Sequence, residues 1–193
     1  MEILNNVWAA LSTPNERLME FLTVPPFFIE IPLIMYMFIY ALNISATKKQ
    51  KVEYIVLSII TGIICKFIIP SPYNVVLNYG VSLVLIHLIF KLKLLKSFIA
   101  MIIPAIVFVL IGVLISNPFL TVLHIDYRQA ETVPVYRYLY LTISYLLLFI
   151  VDLSLKNKNI ALTIIDELDK KNKLIIFANL IIGLIAIISQ III

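Results

Sequence analysis

An all-α, polytopic transmembrane bundle of about six spans, entered through an N-terminal interfacial helix, is the fold class this sequence predicts. Of its 193 residues 62% are hydrophobic and only 13% charged, against roughly 45–50% and 25% in an ordinary soluble domain. The apolar residues gather into six runs near 25–44, 53–70, 74–90, 97–116, 135–155 and 174–193, each close to the length that crosses roughly 30 Å of hydrocarbon. These runs are continuously apolar and do not alternate with period two, so they read as helices and not as barrel strands.

The chain divides into an extracellular or interfacial segment, 1–24, and a six-span membrane domain, 25–193. In the first segment Thr13 and Glu16 have the spacing of a capping box, with Pro14 at the first helical position; a missing N–H has no cost there. Leu18, Phe21 and Leu22, with Trp8 upstream, give that region an apolar face for the outer membrane surface. Before the sixth run, Ala161, Ile164, Ile165 and Leu168 recur at helical spacing with Asp166, Glu167 and Asp169 on the other face, which predicts an interfacial helix. The start carries Glu2 and lacks the basic flank of a cleavable signal peptide, so the spans themselves direct insertion.

Charge gives the orientation. Lys48, Lys49 and Lys51 follow the first run, Lys91, Lys93 and Lys96 the third, and Lys156, Lys158, Lys170, Lys171 and Lys173 the fifth, which places eleven of the 15 Lys and Arg on one side. Arg17, Lys66, Arg128 and Arg137 remain on the other. The positive-inside rule puts the three lysine-rich connections in the cytoplasm and both termini outside. The formal charge of +4 thus reflects topology and does not point to nucleic acid.

Catalytic patterns are sparse. His87 and His124 stand far apart, no HExxH or CxxC occurs, and the single Cys65 lies in an apolar run as a small buried hydrophobe. Gly62, Gly80, Gly112 and Gly183 stand singly inside runs, where close helix packing is their expected role and phosphate cradling is not. No cofactor or metal is expected, and no enzyme activity of this chain. Ionisable residues inside spans are expensive and therefore informative. Glu30 and Lys66 fall at similar depth in antiparallel spans, roughly 6–8 Å below the outer surface, either as an intramembrane ion pair or each snorkelling alone. Asp152, four residues before Lys156, reads as an interfacial i,i+4 pair.

The long outer connection "SNPFLTVLHIDYRQAETVPVYRY" brings together Asp126, Tyr127, Arg128, Glu131, Tyr136 and Arg137 as candidate ligand-binding residues, with Tyr138 and the "IPSPYN" turn nearby. The alternative is a plain connector with tyrosines anchored at the interface.

The stretches "NNVWAALSTPNE", "LNISATKKQKVEYIV", "IIPSPYNVV", "FKLKLLKSFIA", "VPVYR" and "DELDKKNKLI" resemble, along nearly the whole chain, the N-terminal membrane region of agr-type sensor histidine kinases of clostridial bacteria, whose output is a GHKL-class ATPase domain. The resemblance implies a sensor module of a two-component, quorum-sensing system in the bacterial cell membrane. It would detect an extracellular signal, often a small peptide, and dimerise through its kinase. No phosphoacceptor histidine region and no ATP-binding box is present, and six spans leave the C-terminus outside, so the expectation is a module ending before a further span and its kinase. A stand-alone membrane scaffold with lysine-rich docking loops is the alternative. A transporter subunit is the weaker one, since no inverted repeat is visible.

Overall fold

The computed structural model describes residues 2–70, 73–126, 129 and 132–158, and every regular element among them is helical. In order these are α1 (Glu2–Ser12), α2 (Glu16–Phe21), α3 (Val24–Ala41), α4 (Lys48–Ile68), α5 (Tyr73–Phe90) and α6 (Leu94–Ile111). A π-helical turn (Gly112–Ser116), α7 (Asn117–Val122) and α8 (Pro134–Lys158) follow. The expected interfacial helix over 160–173 and the sixth run lie outside the described residues.

Four stretches are long and apolar enough to cross a membrane: Leu18–Ala41, Tyr73–Phe90, Leu94–Val122 and Pro134–Asn157. Helix α4, over the second expected span, is not among them, because every stretch of 18 residues within it carries three or more of Lys48, Lys49, Lys51, Glu53 and Lys66. Pairing carries it instead. The Gln50 amide at the start of α4 donates to the Ile89 carbonyl at the end of α5, at 2.7 Å, so the two helices lie antiparallel along their lengths. The uncharged body of α4, from Tyr54 to Cys65, is about 18 Å long at 1.5 Å per residue.

The helix ends follow local chemistry. Thr47 caps α4 through a complete capping box with Gln50. At the N-terminus the cap differs from the expected Thr13: Asn15 Oδ1 accepts from the Leu18 N–H at 3.0 Å and opens α2. Thr13 Oγ1 donates backwards to the Ala9 carbonyl at 2.8 Å, closing α1, so its hydroxyl is committed to the preceding helix. Among the described residues no glycine ends a helix, and three other residues take the left-handed conformation instead: Asn43 (φ 48), Lys91 (φ 54) and His124 (φ 56). After α3 the Asn43 and Ile44 N–H groups donate to the Tyr40 and Ile39 carbonyls. His124 and Ile125 repeat this pattern on Thr121 and Leu120. Both are Schellman closures, which satisfy carbonyls the helix leaves open.

The described residues form two compact units, 2–33 with 106–151, and 34–105 with 152–158; the chain passes between them within α3, α6 and α8. The second unit packs on an aromatic trio. Phe38 meets Tyr54 at 5.6 Å and Phe90 at 5.4 Å, both edge to face, and Tyr54 meets Phe90 at 5.6 Å, in the range where the ring quadrupoles add to apolar burial. Met35, Met37, Ile86 and Cys65 are buried in the same unit; Cys65 is the small buried residue its setting implied. Much apolar surface faces outward, Val52, Ile60, Ile64, Val84, Leu88 and Phe149 included, as a bilayer requires and water would not tolerate.

Candidate functional site

Polar groups inside apolar helices mark the site, and α8 supplies most of them. Its buried residues Leu141, Ser144, Tyr145, Leu148 and Asp152 recur every three or four positions, so they form one stripe turned inward. Three of the five are polar, which the hydrophobic effect alone does not explain.

Within the first unit the Tyr145 hydroxyl donates to Glu30 Oε2 at 3.0 Å. Glu30 is half-buried on α3, where Ile31 and then the interior Pro32 follow it. Arg137, two turns before Tyr145, acts electrostatically on both members of the pair. The Tyr138 hydroxyl donates to the Leu22 carbonyl at 2.9 Å and ties α8 to the junction between α2 and α3. Nearby, the Asn15 N–H donates to the Thr132 carbonyl at 3.4 Å.

Tyr140 completes the cluster. Its hydroxyl bonds with Ser144 and lies 2.8 Å from the point where a Cβ on Gly112 would stand. Gly112 therefore has the packing role expected of it, at the first residue of the π-helical turn. Gly80 does not, having nothing within 4 Å of that point.

The unit thus joins a carboxylate, a guanidinium and three phenols at the start of α8. Such a set orients a polar ligand through charge-assisted and neutral hydrogen bonds while the rings supply apolar contact. No three His, Cys, Asp or Glu side chains gather as metal ligands would among the described residues.

Of the residues singled out in the sequence, Tyr136 and Arg137 are half-buried near the start of α8, and Asp126 is exposed beyond α7. The Asp126 N–H donates to the Gln129 side-chain oxygen at 3.0 Å, shaping a local turn. Tyr127, Arg128 and Glu131 lie outside the described residues. Glu30 accepts from Tyr145 within its own unit, and Lys66, which matching depth offers as an ion-pair partner, is exposed in the last turn of α4 in the other unit. Asp152 does not form the i,i+4 pair with Lys156: both of its carboxylate oxygens are buried without a hydrogen-bond partner. The reason is its place on the buried stripe, whereas Lys156 is exposed.

Tyr145 and Tyr140 were not singled out in the sequence. The stripe that holds Tyr145 was readable in principle, as polar residues at positions 144, 145 and 152 in phase with Leu141 and Leu148. No family model, curated protein or solved structure matches the chain.

Proposed function

We propose that this chain is the membrane sensor module of a two-component, quorum-sensing histidine kinase system. Its lysine-rich connections would face the cytoplasm, and the connection between α7 and α8 the exterior. The observation that carries the reading is the Glu30–Tyr145 hydrogen bond under the charge of Arg137, set inside the apolar helices α3 and α8. Ionisable groups are kept in a span where they meet a ligand, an ion or a moving part. In this reading the segment richest in donors and aromatics leads directly into the helix that carries Arg137 and Tyr145.

A small peptide signal offers carbonyls and a carboxylate to Arg137 and Arg128, and apolar side chains to Tyr136 and Tyr138. Its binding reaches an output only by favouring one arrangement of the helices over another. In this reading α8 is the moving element, because it bears Arg137 at its start and leads into the lysine-rich segment at its end.

The test joins the chain, through one further membrane span, to a cytoplasmic histidine kinase output and applies fractionated culture supernatant. Residues 117–137 are then exchanged for those of a sensor that answers a different signal. Signal preference should travel with the exchanged segment. An unchanged preference in a well-expressed exchange rejects this site, and a chain that answers no fraction supports the scaffold reading instead.

A further inference from the structure

The second unit holds a cavity that the sensor reading leaves unused. It measures about 670 Å³ and is bounded by the end of α3 (Ile39, Tyr40), the capping loop (Asn43 to Ala46), Lys51 of α4, and Leu155 with Lys156 of α8. That volume is in the range of small-molecule pockets.

Its walls are of two kinds. Ile39, Ile44, Ala46 and Leu155 are apolar, while Tyr40, Asn43, Ser45, Lys51 and Lys156 bring hydroxyl, amide and ammonium groups. The Lys51 ammonium is held 5.2 Å from the centre of the Tyr36 ring, and Tyr36 stacks on Tyr40 at 5.8 Å, so one cation is positioned over an aromatic wall. The carbonyls at the end of α3 do not compete for these donors, since the Asn43 and Ile44 N–H groups already occupy those of Tyr40 and Ile39.

Asp152 is the second, independent sign. It stands one turn before Lys156, acts electrostatically on Tyr40 in the cavity wall, and keeps both carboxylate oxygens buried with no hydrogen-bond partner. Through Tyr40 that carboxylate favours a cation or a hydrogen-bond donor in a ligand lying against the same wall. Among the described residues that line the cavity the charged ones are Lys51 and Lys156, with Asp152 buried behind Tyr40. A phosphodiester, flanked by hydrogen-bond donors, is the complementary group.

We infer that this cavity binds the head of a phospholipid in which a phosphodiester is esterified to an alcohol bearing donors, as in phosphatidylglycerol and phosphatidylethanolamine. The phosphate lies between Lys51 and Lys156, and the hydroxyl or ammonium of the alcohol arm meets the polar wall of Tyr40, Asn43 and Ser45. The apolar wall receives the glycerol backbone. The cavity's place at the ends of α3 and α8 and the beginning of α4 is the level at which a lipid head resides when the lysine-rich connections lie at the membrane surface. Lipid binding here needs no signal, so its outcome is independent of the sensor reading.

The experiment measures binding of short-chain phosphatidylglycerol, phosphatidylethanolamine and phosphatidylcholine to the purified full chain in neutral detergent, by calorimetry and by native mass spectrometry. The first two should bind and the third, which lacks donors, should bind weakly. Lys51→Met with Lys156→Met should weaken phosphatidylglycerol binding roughly 30-fold, at about 1 kcal/mol per lysine. Lys51→Arg with Lys156→Arg should keep it, which separates charge from folding. Lys93→Met with Lys96→Met should change nothing. Asp152→Asn should weaken phosphatidylethanolamine more than phosphatidylglycerol, because only the ammonium loses the attraction of that charge. Equal loss from either pair of lysines would reduce the effect to nonspecific attraction and overturn the site. Displacement of the lipid by glycerol phosphate at equal affinity would assign the cavity to a soluble phosphate ester and overturn the lipid.

Discussion

Replacing Tyr145 with Phe deletes one oxygen and leaves the ring in place, which isolates the hydrogen bond to Glu30. That bond is 3.0 Å long, part-buried, and joins α8 to α3 across 115 residues of chain. A hydrogen bond to a charged group contributes about 1.5–3 kcal/mol in soluble proteins. Between membrane helices the measured average is nearer 0.6, with a maximum of about 1.7 kcal/mol, because the separated helices find other partners. The attraction of Arg137 for the same carboxylate persists in the variant and lowers the loss further. Tyr145→Phe should therefore destabilise by about 1 kcal/mol. Glu30→Gln should lose less, since an amide oxygen still accepts. The assay is a double-mutant cycle on unfolding in mixed micelles with increasing sodium dodecyl sulfate. The expected coupling between the two positions is about 0.5–1.5 kcal/mol, and additivity to within about 0.3 kcal/mol would refute it. A larger coupling of Glu30 with Lys66 than with Tyr145 would refute it equally.

Gly112→Ala exchanges a helix-propensity gain of up to about 1 kcal/mol for a contact 2.8 Å from the Tyr140 hydroxyl; it should destabilise in the same unfolding assay and become neutral or stabilising in a Tyr140→Phe background. Gln50→Ala removes both the capping box and the donor to Ile89, at a cost of about 1–2 kcal/mol, whereas Gln50→Glu should recover the cap alone and about half of the loss. His124 holds φ 56, a region costing a non-glycine residue about 1–2 kcal/mol, so His124→Gly should raise the unfolding midpoint even after the added freedom of the unfolded chain. In a Cys65→Ser background, single cysteines at Lys49, Lys93 and Lys170 should be shielded from an impermeant thiol reagent in intact cells while one at Gln129 is labelled; the reverse pattern would invert the orientation.

The elements were legible wherever one physical term dominates. Uninterrupted apolar runs gave the bodies of α3, α5, α6 and α8 to within a few residues, because burial in hydrocarbon outweighs the cost of the prolines inside α3 and α6. Boundaries failed where two local bonds compete. Thr13 and Asn15 are both capable N-caps, and the choice turned on Thr13 Oγ1 reaching back to Ala9. The site was less legible. Depth along a helix is a one-dimensional coordinate and left Glu30 either paired with Lys66 or snorkelling alone; the rotation about the helix axis that brings Tyr145 to Glu30 was not in it. For Asp152, spacing suggested Lys156, yet the stripe that buries the carboxylate points the ammonium elsewhere. The cavity beside it depends on three helix ends meeting, and no local pattern encodes that.

The π-helical turn at Gly112–Ser116 contains one residue more than the α-turn it interrupts. Such a surplus behaves like a dislocation in a crystal: it moves along the rod one bond at a time without the rod breaking. Were it to move, the residues it passes would shift by about 1.5 Å and turn by about 100°. Phe119 and Leu120 ride on that end of the rod. A one-residue deletion between 112 and 116 would anneal the defect, so in this region the length of the chain is as much a part of its information as the identity of its residues.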